Sequence, residues 1–391
     1  MLVKNALDYG KEESEIRKLF EYGKKRKAEI GAENVFDFSI GNPSVPAPKS
    51  VDESIKKLVD NMDSVALHGY TSAAGDLEVR AKIADFVNEK YNAGISAENI
   101  YLTCGAAAGI AIVLNAIVNP GEECIVFTPY FPEYKVFLEK TGGKLVEVKS
   151  DDNLQIDLDA FEAAITEKTR AVIINSPNNP SGVVYPAEKI QGLSDILNKK
   201  QEEYGHPIYI VTDEPYRPLV YDDIEVPYVT NYYDNTFVTY SFSKALSLPG
   251  DRIGYIIVSP KMKDSADAFA AIAGSGRMLG YVCAPSVFQR VVADNVDVTS
   301  DISIYKKNRD LLYNALTEMG YECVHPDGAF YLFVKTKGDS REFCEKAKKY
   351  ELLLVPADSF GTPGYMRVSY CVDTAMIEKA LPAFEKLINE E

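Results

Sequence analysis

From about residue 76 onward, short apolar runs alternate with helical segments along the chain. Most of the runs consist of β-branched or aromatic residues and are bounded by Gly, Pro, Asn or Asp, which is typical of buried strands. Strands that alternate with helices favour a largely parallel sheet covered on both faces. The pattern predicts strands at 100–103, 123–127, 144–148, 171–175, 208–212, 236–241 and 254–258, and helices at 105–118, 131–141, 158–167 and 187–200.

The two ends of the chain differ from this α/β region. Residues 11–30 have the pattern of a polar amphipathic helix, and residues 34–40 that of a short extended stretch before a Gly-Asn-Pro turn. In the C-terminal third, long helical segments surround a few strands, which predicts a second domain of the α+β class. The helical segments are 285–319 and 340–350, and the strands are 329–334 and 366–370.

The composition excludes several classes of partner. The 391 residues include 58 acidic and 42 basic side chains, so the formal net charge is −16. A chain of this length is expected to form two domains or one large α/β unit. Its acidity disfavours binding to nucleic acid, which requires a basic face, and adhesion to anionic membranes. A small anionic ligand in a locally positive pocket is still compatible with it.

Signals for export, membrane insertion and metal binding are missing from the sequence. The first residues contain no apolar stretch of a secretory signal, and no run approaches the ~18 apolar residues of a membrane span. The six cysteines are scattered without a C-x-x-C pair, and the three histidines lie far apart. We therefore expect a cytoplasmic protein with free thiols and no metal site.

Residues with useful chemistry follow five of the predicted strands. In a parallel α/β sheet, ligands bind beyond the carboxyl ends of the strands. Each feature alone is explained by a turn, a helix cap or a solvated lysine, but five of them in strand order predict a ligand site. They are Gly105-Ala106-Ala107, Tyr130, Asn178-Asn179-Pro180, Asp213-Glu214-Pro215-Tyr216 and Ser243-Lys244, the last followed by Gly250-Asp251-Arg252.

One stretch, SFSKALSLPGDRIGY, resembles the cofactor-lysine motif of the class I/II aminotransferases, which use pyridoxal 5′-phosphate. It contains Lys244, and Arg252 follows this lysine by eight residues. Upstream, N-P-x-G at 179–182 and D-x-x-Y at 213–216 have the order and spacing that the family shows. The lysine motif with its arginine is highly specific, whereas the N-P-x-G motif alone is not.

The resemblance extends from about Gly41 to Arg367 and implies a fold-type I enzyme similar to aspartate aminotransferases. Such a protein has a large α/β domain, with a mostly parallel seven-stranded sheet flanked by helices, and a smaller α+β domain. On this basis we expect the large, cofactor-binding domain to span residues 46–280. The small domain is expected to combine residues 1–45 with residues 281–391.

The resemblance also implies a role for each residue around the cofactor ring. Lys244 would form a Schiff base with the cofactor aldehyde and then shuttle a proton at the substrate α-carbon, which requires a pKa depressed by nearby cations and desolvation. Asp213 would keep the pyridine nitrogen protonated, so that the ring accepts electrons. Asn179 and Tyr216 would hydrogen-bond the phenolic oxygen, and Tyr130 would stack on the ring.

The cofactor phosphate is expected where the chain offers backbone donors, hydroxyl groups and a guanidinium. A helix start with small residues leaves N–H groups open to an anion, and a guanidinium fork matches phosphate geometry. Alanines stand where many relatives have a hydroxyl residue at this helix start. The implied phosphate ligands are Gly105, Ala106, Ala107, Ser241, Ser243 and Arg252, and Tyr70 is implied to reach the phosphate of the neighbouring subunit in a homodimer.

Four residues are implied in binding the substrates, an amino acid and a 2-oxo acid. Arg367 resembles the arginine that clamps the substrate α-carboxylate, with Asn179 beside it. Gly41 resembles the mobile N-terminal segment that closes over the substrate. Arg277 lies in the region where aspartate aminotransferases carry an arginine for the side-chain carboxylate, supplied across the dimer, so it favours aspartate-like donors.

The sequence therefore predicts an aminotransferase that moves an amino group from an L-amino acid to a 2-oxo acid such as 2-oxoglutarate. A C–S β-lyase of the same fold stays open, because the lysine chemistry is common to both. A regulator built on this fold would need a basic winged-helix segment, for which the residues before Gly41 are too few. A nicotinamide dehydrogenase is disfavoured, because Gly274-Ser275-Gly276 lacks the required spacing.

Overall fold

The computed structural model describes residues 2–11 and 14–390 of the chain. Helices and strands follow one another in the order that the sequence pattern suggests. The helices are α1 (Lys4–Lys11), α2 (Glu15–Ile30), α3 (Lys49–Asn61), α4 (Ser64–His68), α5 (Leu77–Tyr91), α6 (Ala106–Ile117), α7 (Glu133–Glu139), α8 (Leu158–Ala164), α9 (Ala187–Tyr204), α10 (Phe242–Ala245), α11 (Ser265–Leu279), α12 (Ser286–Ala293), α13 (Ser303–Glu318), α14 (Ser340–Ala347) and α15 (Thr374–Ile388). The strands are β1 (Phe36–Asp37), β2 (Ile100–Thr103), β3 (Glu123–Thr128), β4 (Lys144–Lys149), β5 (Thr169–Asn175), β6 (Tyr209–Asp213), β7 (Thr236–Ser241), β8 (Gly254–Val258), β9 (Cys323–Val324), β10 (Tyr331–Lys335), β11 (Leu352–Leu353), β12 (Val355–Pro356) and β13 (Tyr365–Ser369).

A seven-stranded sheet forms the centre of the larger part of the molecule, in the order β2-β8-β7-β6-β5-β3-β4. β8 runs antiparallel to its neighbours β2 and β7, and the other pairings are parallel. The predicted α/β fold, with a mostly parallel seven-stranded sheet flanked by helices, is therefore confirmed. Because six strands share one direction, their carboxyl ends meet along a single edge, where ligands bind in sheets of this kind.

The burial pattern explains why these segments form strands in the middle of the sheet. Every residue of β7 and β8 is buried, as expected for strands covered on both faces. In β4, at the edge of the sheet, only Val148 is buried. The apolar clusters on the two faces include Val238 and Ile257 on one face, and Val211 and Phe237 on the other.

A second, four-stranded antiparallel sheet, β12-β13-β10-β9, lies in the C-terminal part. α13 and α15 pack on it around a cluster that contains Tyr305, Phe330 and Phe384. The short strand β1 pairs in parallel with β11, so that Phe36 lies opposite Leu352. Residues near the N-terminus thus associate with the C-terminal part. The division into domains at residues 45 and 280 stays a prediction.

Two details of the C-terminal third differ from the prediction. The helical segment 285–319 is two helices, α12 and α13, separated by residues 294–302. Asn295 is buried in this break, and its Nδ2 donates to the carbonyl of Val291 at 2.8 Å and to Ser54 Oγ at 3.2 Å. α12 packs with Val51 and Val79 in the cluster beside the large sheet, although residues 281–391 were assigned to the small domain.

In the N-terminal region, the predicted helix 11–30 corresponds to α2, and residues 12 and 13 of that prediction lie outside the described residues. The extended stretch 34–40 forms hydrogen-bonded pairs only at Phe36 and Asp37. Among the described residues, no helix is long and apolar enough to cross a membrane.

Candidate active site

A cavity of about 310 Å³ opens at the carboxyl edge of the large sheet, where the small sheet approaches it. The residues that line it come from the N-terminal segment, from the ends of β5, β6 and β7, from the start of α6 and from β10 and β13. The sequence-predicted site residues among them are Gly41, Ala106, Ala107, Asn179, Asp213, Tyr216, Ser241, Ser243, Lys244, Arg252 and Arg367.

Lys244 projects into this cavity from the short helix α10, which directly follows β7. Its Nζ donates a hydrogen bond of 2.6 Å to the carbonyl of Gly41 and lies 5.3 Å from the ring centre of Phe330. Burial lowers the pKa of Lys244 to about 8, and the nearby cations Arg367 and Arg252 act in the same direction. At pH 7 about a tenth of this amine is therefore uncharged, far more than for a lysine with the ordinary pKa, as a nucleophilic lysine requires.

Asp213 is the last residue of β6 and is buried at the floor of the cavity. Tyr134 on α7 donates a hydrogen bond of 2.6 Å to its Oδ2, whereas Oδ1 has no partner among residues 2–11 and 14–390. Burial raises the pKa of Asp213 to about 7, Glu214 adds to this effect, and the Tyr134 hydrogen bond opposes it. A buried acceptor without a donor is costly, so Oδ1 is suited to a ligand that brings a proton.

Two asparagines connect Asp213 to the end of the neighbouring strand β5. Asn175, the last residue of β5, donates from Nδ2 to the carbonyl of Asp213 at 2.7 Å. Its Oδ1 accepts from the backbone N–H of Asn179 at 2.7 Å. Tyr216, in the turn after β6, shares a hydrogen bond of 2.8 Å with the hydroxyl of Tyr331 on β10. The first two contacts connect the backbone of Asp213 to that of Asn179, and the third holds the Tyr216 hydroxyl against β10.

Arg367 enters the cavity from β13 with only 2% of its surface exposed. Its Nη2 donates to the carbonyl of Ser39 at 2.6 Å, and its Nη1 donates to Asn179 Oδ1 at 3.2 Å. The guanidinium lies over the ring of Tyr331, 4.6 Å from its centre. Its buried Nε has no acceptor in the described part of the chain. The guanidinium is thus held in one orientation with a donor left for an anion such as a carboxylate.

The start of α6 forms a cradle for a second anion. Gly105 precedes this 12-residue helix with φ = 88°, a backbone conformation that favours glycine. A Cβ at this position would lie 2.8 Å from Arg252 Nη2. Ser241 and Ser243 contribute hydroxyl groups, 2.7 Å apart, from the start of α10. A helix N-terminus, a guanidinium and two hydroxyls together suit a phosphate group.

Arg252 is held in this cradle by hydrogen bonds to backbone carbonyls. The Arg252 guanidinium is exposed and donates to the carbonyls of Pro249, at 2.9 Å, and Cys104, at 3.1 Å. Both acceptors are neutral carbonyls, so the positive charge of Arg252 stays available to an anion at the start of α6.

Three predicted residues lie elsewhere in this chain. Tyr130 is buried, and its hydroxyl donates to Glu147 Oε1 at 2.7 Å; the adjacent Phe131, not Tyr130, is among the residues that line the cavity. Stacking of Tyr130 on a cofactor ring stays a prediction. Tyr70 is fully exposed, and Arg277, in the last turn of α11, is exposed as well.

Sequence reasoning missed five residues that build the site: Ile16, Phe131, Tyr134, Asn175 and Tyr331. Asn175 could have been identified, since it ends a predicted strand. For Phe131 and Tyr134 the signal was the aromatic spacing in TPYFPEY. Ile16 and Tyr331 carry no local signal, because they reach the cavity only through packing of the N-terminal helix and the small sheet.

Comparison with known proteins identifies what this arrangement is similar to. The model of the family described as aminotransferase class I and II matches residues 33–384. An aspartate aminotransferase of Thermotoga maritima is 32% identical over 382 residues, which cover 96% of this chain and 97% of the relative. An aromatic-amino-acid aminotransferase of Thermococcus litoralis is 29% identical, over 97% of this chain and 96% of the relative. A crystal structure of an aminotransferase from Eubacterium rectale superimposes with a TM-score of 0.97 and 56% identity, over the full length of both chains.

Proposed function

Since the chain belongs to the class I and II aminotransferase family, we propose that its cavity binds pyridoxal 5′-phosphate and transfers an amino group from an L-amino acid to a 2-oxo acid such as 2-oxoglutarate. One observation carries this proposal. A lysine of lowered pKa, a buried carboxylate oxygen without a donor among the described residues, and a helix start beside an arginine all face one cavity.

The residues present fit the three polar parts of this cofactor. Asp213 Oδ1 offers an acceptor for a protonated ring nitrogen, and its second oxygen is already held by Tyr134. The start of α6 and Arg252 offer the phosphate site. Lys244 would hold the aldehyde carbon covalently, and Phe131 would cover a ring face. When bound, the cofactor supplies an electron sink for the electrons released at the substrate α-carbon.

Lys244 then acts as the acid–base group at that carbon. Its neutral amine can accept the α-proton, and its charged form can return a proton to the adjacent position. The carbonyl of Gly41, 2.6 Å from Nζ, accepts a hydrogen bond from the amine and orients it. Burial favours the neutral form, so the lysine works as a base near neutral pH rather than as a permanent cation.

Substrate binding is assigned to Arg367 and its neighbours. Arg367 lines the cavity, its Nε–H has no acceptor in the described part of the chain, and its guanidinium would bind the α-carboxylate of the amino acid and of the oxo acid. Asn179 Oδ1 accepts a hydrogen bond from the Arg367 guanidinium. Together with Tyr216, Asn179 would also hydrogen-bond the phenolic oxygen of the cofactor. Gly41 lies opposite Tyr331, since a Cβ on Gly41 would collide with the hydroxyl of Tyr331.

A second copy of the chain is proposed to complete the site. Tyr70 is fully exposed, and Met278 and Tyr281 are exposed near it. The two segments are adjacent, because Cys283 Sγ lies 3.3 Å from the carbonyl of Thr71. We assign this face to the homodimer interface, with Tyr70 reaching the partner's phosphate. Arg277, in the same region, would then read the side-chain carboxylate of an aspartate-like donor.

Two further assignments complete the proposal. The relatives named above are all aminotransferases, and none of them is a lyase, so the C–S β-lyase alternative has no support from them. The six cysteines are free thiols, which suits the reducing cytoplasm.

An absorption spectrum of the purified protein, recorded with a panel of amino acids, tests the function. We expect a cofactor band that bleaches with the true donor and returns when a 2-oxo acid is added. Release of pyruvate and ammonia without amino transfer would support the lyase instead. If aspartate and glutamate are the donors, Arg277→Ala should raise their KM and leave that of uncharged donors unchanged. A preference for aromatic donors that Arg277→Ala leaves intact would overturn the role of Arg277.

A further inference from the structure

A buried ion pair lies directly behind the candidate active site. Glu214 and Arg217 have side chains that are 1% and 4% exposed, and they flank Tyr216 within the turn that follows β6. The Arg217 guanidinium binds both carboxylate oxygens of Glu214, through Nε and, at 2.8 Å, through Nη2. Such a pair is costly to desolvate and contributes little net stability compared with apolar packing.

The surroundings of the pair satisfy both charges. Arg217 also donates to the carbonyls of Val226 and Pro227, each at 2.9 Å. Glu214 Oε1 accepts from Thr212 Oγ1 at 2.9 Å. The guanidinium lies 5.2 and 5.0 Å from the ring centres of Tyr91 and Tyr228, which stack on each other. Cation–π contacts of this kind are strongest where water is excluded.

The pair is connected to both catalytic elements. Glu214 follows Asp213 directly, and its backbone N–H donates to the carbonyl of Thr239 on β7 at 2.8 Å. Phe242, the first residue of the Lys244 helix, lines the same small space as Arg217 and Tyr228. Any shift of the pair would therefore move the Asp213 carboxylate, the Tyr216 hydroxyl and the base of α10 together.

We propose that Glu214 and Arg217 are positioning residues for the cofactor site, which hold the turn at residues 213–217 in place and neutralise a buried negative charge one residue from Asp213. Neither side chain lines the cavity, so both act through Asp213 and Tyr216. The inference rests on the proposed function, since its readout is the binding of pyridoxal 5′-phosphate.

The electrostatic part of this inference follows from the sign of the charges. Without Arg217, the Glu214 carboxylate would be left buried and unpaired, and its charge would disfavour ionisation of Asp213. A neutral Asp213 loses the charge-assisted hydrogen bond to a protonated ring nitrogen. Removing both charges at once removes this repulsion, whereas a purely mechanical role would make the double change at least as harmful as the single one.

Titration of the full-length, cofactor-free chain with pyridoxal 5′-phosphate, followed by absorbance, tests this prediction. We expect Arg217→Met to weaken binding by about 10- to 100-fold, the size typical for loss of a group that orients a ligand. The double variant Glu214→Gln/Arg217→Met should recover most of that loss. Arg217→Lys, which keeps the charge, should bind better than Arg217→Met.

A matched control comes from a second buried arginine, which lies on α13. Arg309 is also buried, pairs with Asp222 at 2.6 Å and lies 4.8 Å from the ring centre of Tyr221. Arg309→Met should lower thermal stability and leave cofactor affinity unchanged. If Arg217→Met binds as tightly as the wild type, or if the double variant is no better than Arg217→Met, the inference is wrong and the proposed function is unaffected. If the wild type itself does not bind the cofactor, the proposed function fails as well.

Discussion

The two edges of the large sheet carry cavities of opposite character. The carboxyl edge has the cavity of about 310 Å³ around Lys244, whereas the amino edge has a larger one, of about 870 Å³, lined by Arg170, His206 and Lys261 among others. Both contain charged side chains and both are open to solvent. Size alone would point to the amino edge.

The difference lies in how the polar groups are satisfied. At the amino edge, Arg170 pairs with Glu122 at 2.5 Å, and Lys261 Nζ donates to the carbonyl of Thr230 at 3.0 Å. At the carboxyl edge, Asp213 Oδ1 and Arg367 Nε are buried without partners among the described residues. Proteins rarely leave buried polar atoms unpaired. Between these two cavities, the unmatched polar groups of the lining side chains therefore identify the functional site better than cavity volume does.

The largest contrast between the edges is expected for their lysines. Lys244→Ala should lower kcat by at least about 10²–10⁴-fold, the usual contribution of a positioned acid–base group. Lys261→Ala, which removes a lysine of the amino-edge cavity, should leave kcat within about twofold and affect stability by less than about 1 kcal/mol. Steady-state kinetics of both variants measure the contrast, and equal losses would contradict it.

The next largest effect concerns the stability that the protein loses by burying the Asp213 carboxylate. The pKa of Asp213 is raised from 3.8 to about 7 by burial, so folding favours its protonated form. That contribution to stability is complete below about pH 4 and is lost as the pH rises through 7. Asp213→Asn cannot ionise, so the cofactor-free variant should gain stability over the wild type between about pH 4 and pH 9, by on the order of 4 kcal/mol at most.

Urea unfolding of both cofactor-free proteins at the two pH values provides this comparison. Asp213→Asn should also lose activity. Together, the two results would show that the Asp213 carboxylate lowers the stability of the cofactor-free protein and is needed for activity. A stability difference that stays constant with pH would mean that Asp213 is ionised in the cofactor-free protein.

A smaller effect is expected for one arginine at each edge of the sheet. Arg367→Lys removes the planar fork and the available Nε donor, so kcat/KM for an amino acid should fall by about 10- to 100-fold. Arg170→Lys at the amino edge should reduce stability slightly and leave kcat/KM unchanged. Kinetics with saturating oxo acid measure both, and an unchanged kcat/KM in Arg367→Lys would remove Arg367 from substrate binding.

The smallest effect is expected for a single hydroxyl group. Tyr134→Phe removes the donor to Asp213 Oδ2, and cofactor affinity should fall by about tenfold. Tyr233→Phe is its counterpart near the amino end of β6, where the Tyr233 hydroxyl donates to the carbonyl of Ile208 at 2.6 Å. That variant should lose stability but not affinity. Equal affinities in the two variants would show that the Tyr134 hydrogen bond does not tune Asp213.

Sequence reasoning predicts the carboxyl edge well, because strands and their last residues are local features. The seven strands are present, and Lys244, Asp213 and Asn179 follow them in order and line one cavity. The alternation of apolar runs and helices was sufficient to infer a parallel sheet, and a parallel sheet brings strand ends together.

What could not be predicted depends on irregular segments and on packing between distant elements. Tyr130 and Phe131 are neighbours in a turn, where no strand or helix period indicates which of them faces the site. Tyr331 and Arg367 belong to one side of the site because β10 pairs with β13, and that pairing has no local signal. The break between α12 and α13 contains the buried Asn295, whose partner Ser54 lies on α3, far away in the sequence.

Reduction of the cofactor-loaded protein with borohydride, followed by peptide mapping, tests the central claim most directly. Reduction makes the bond between a lysine and a bound aldehyde permanent, so the labelled peptide identifies the lysine. We predict a single labelled peptide that contains Lys244, and no label in Lys244→Ala. Label on a different lysine, such as Lys261 at the opposite edge of the sheet, or no label in a protein that still transfers amino groups, would contradict the account.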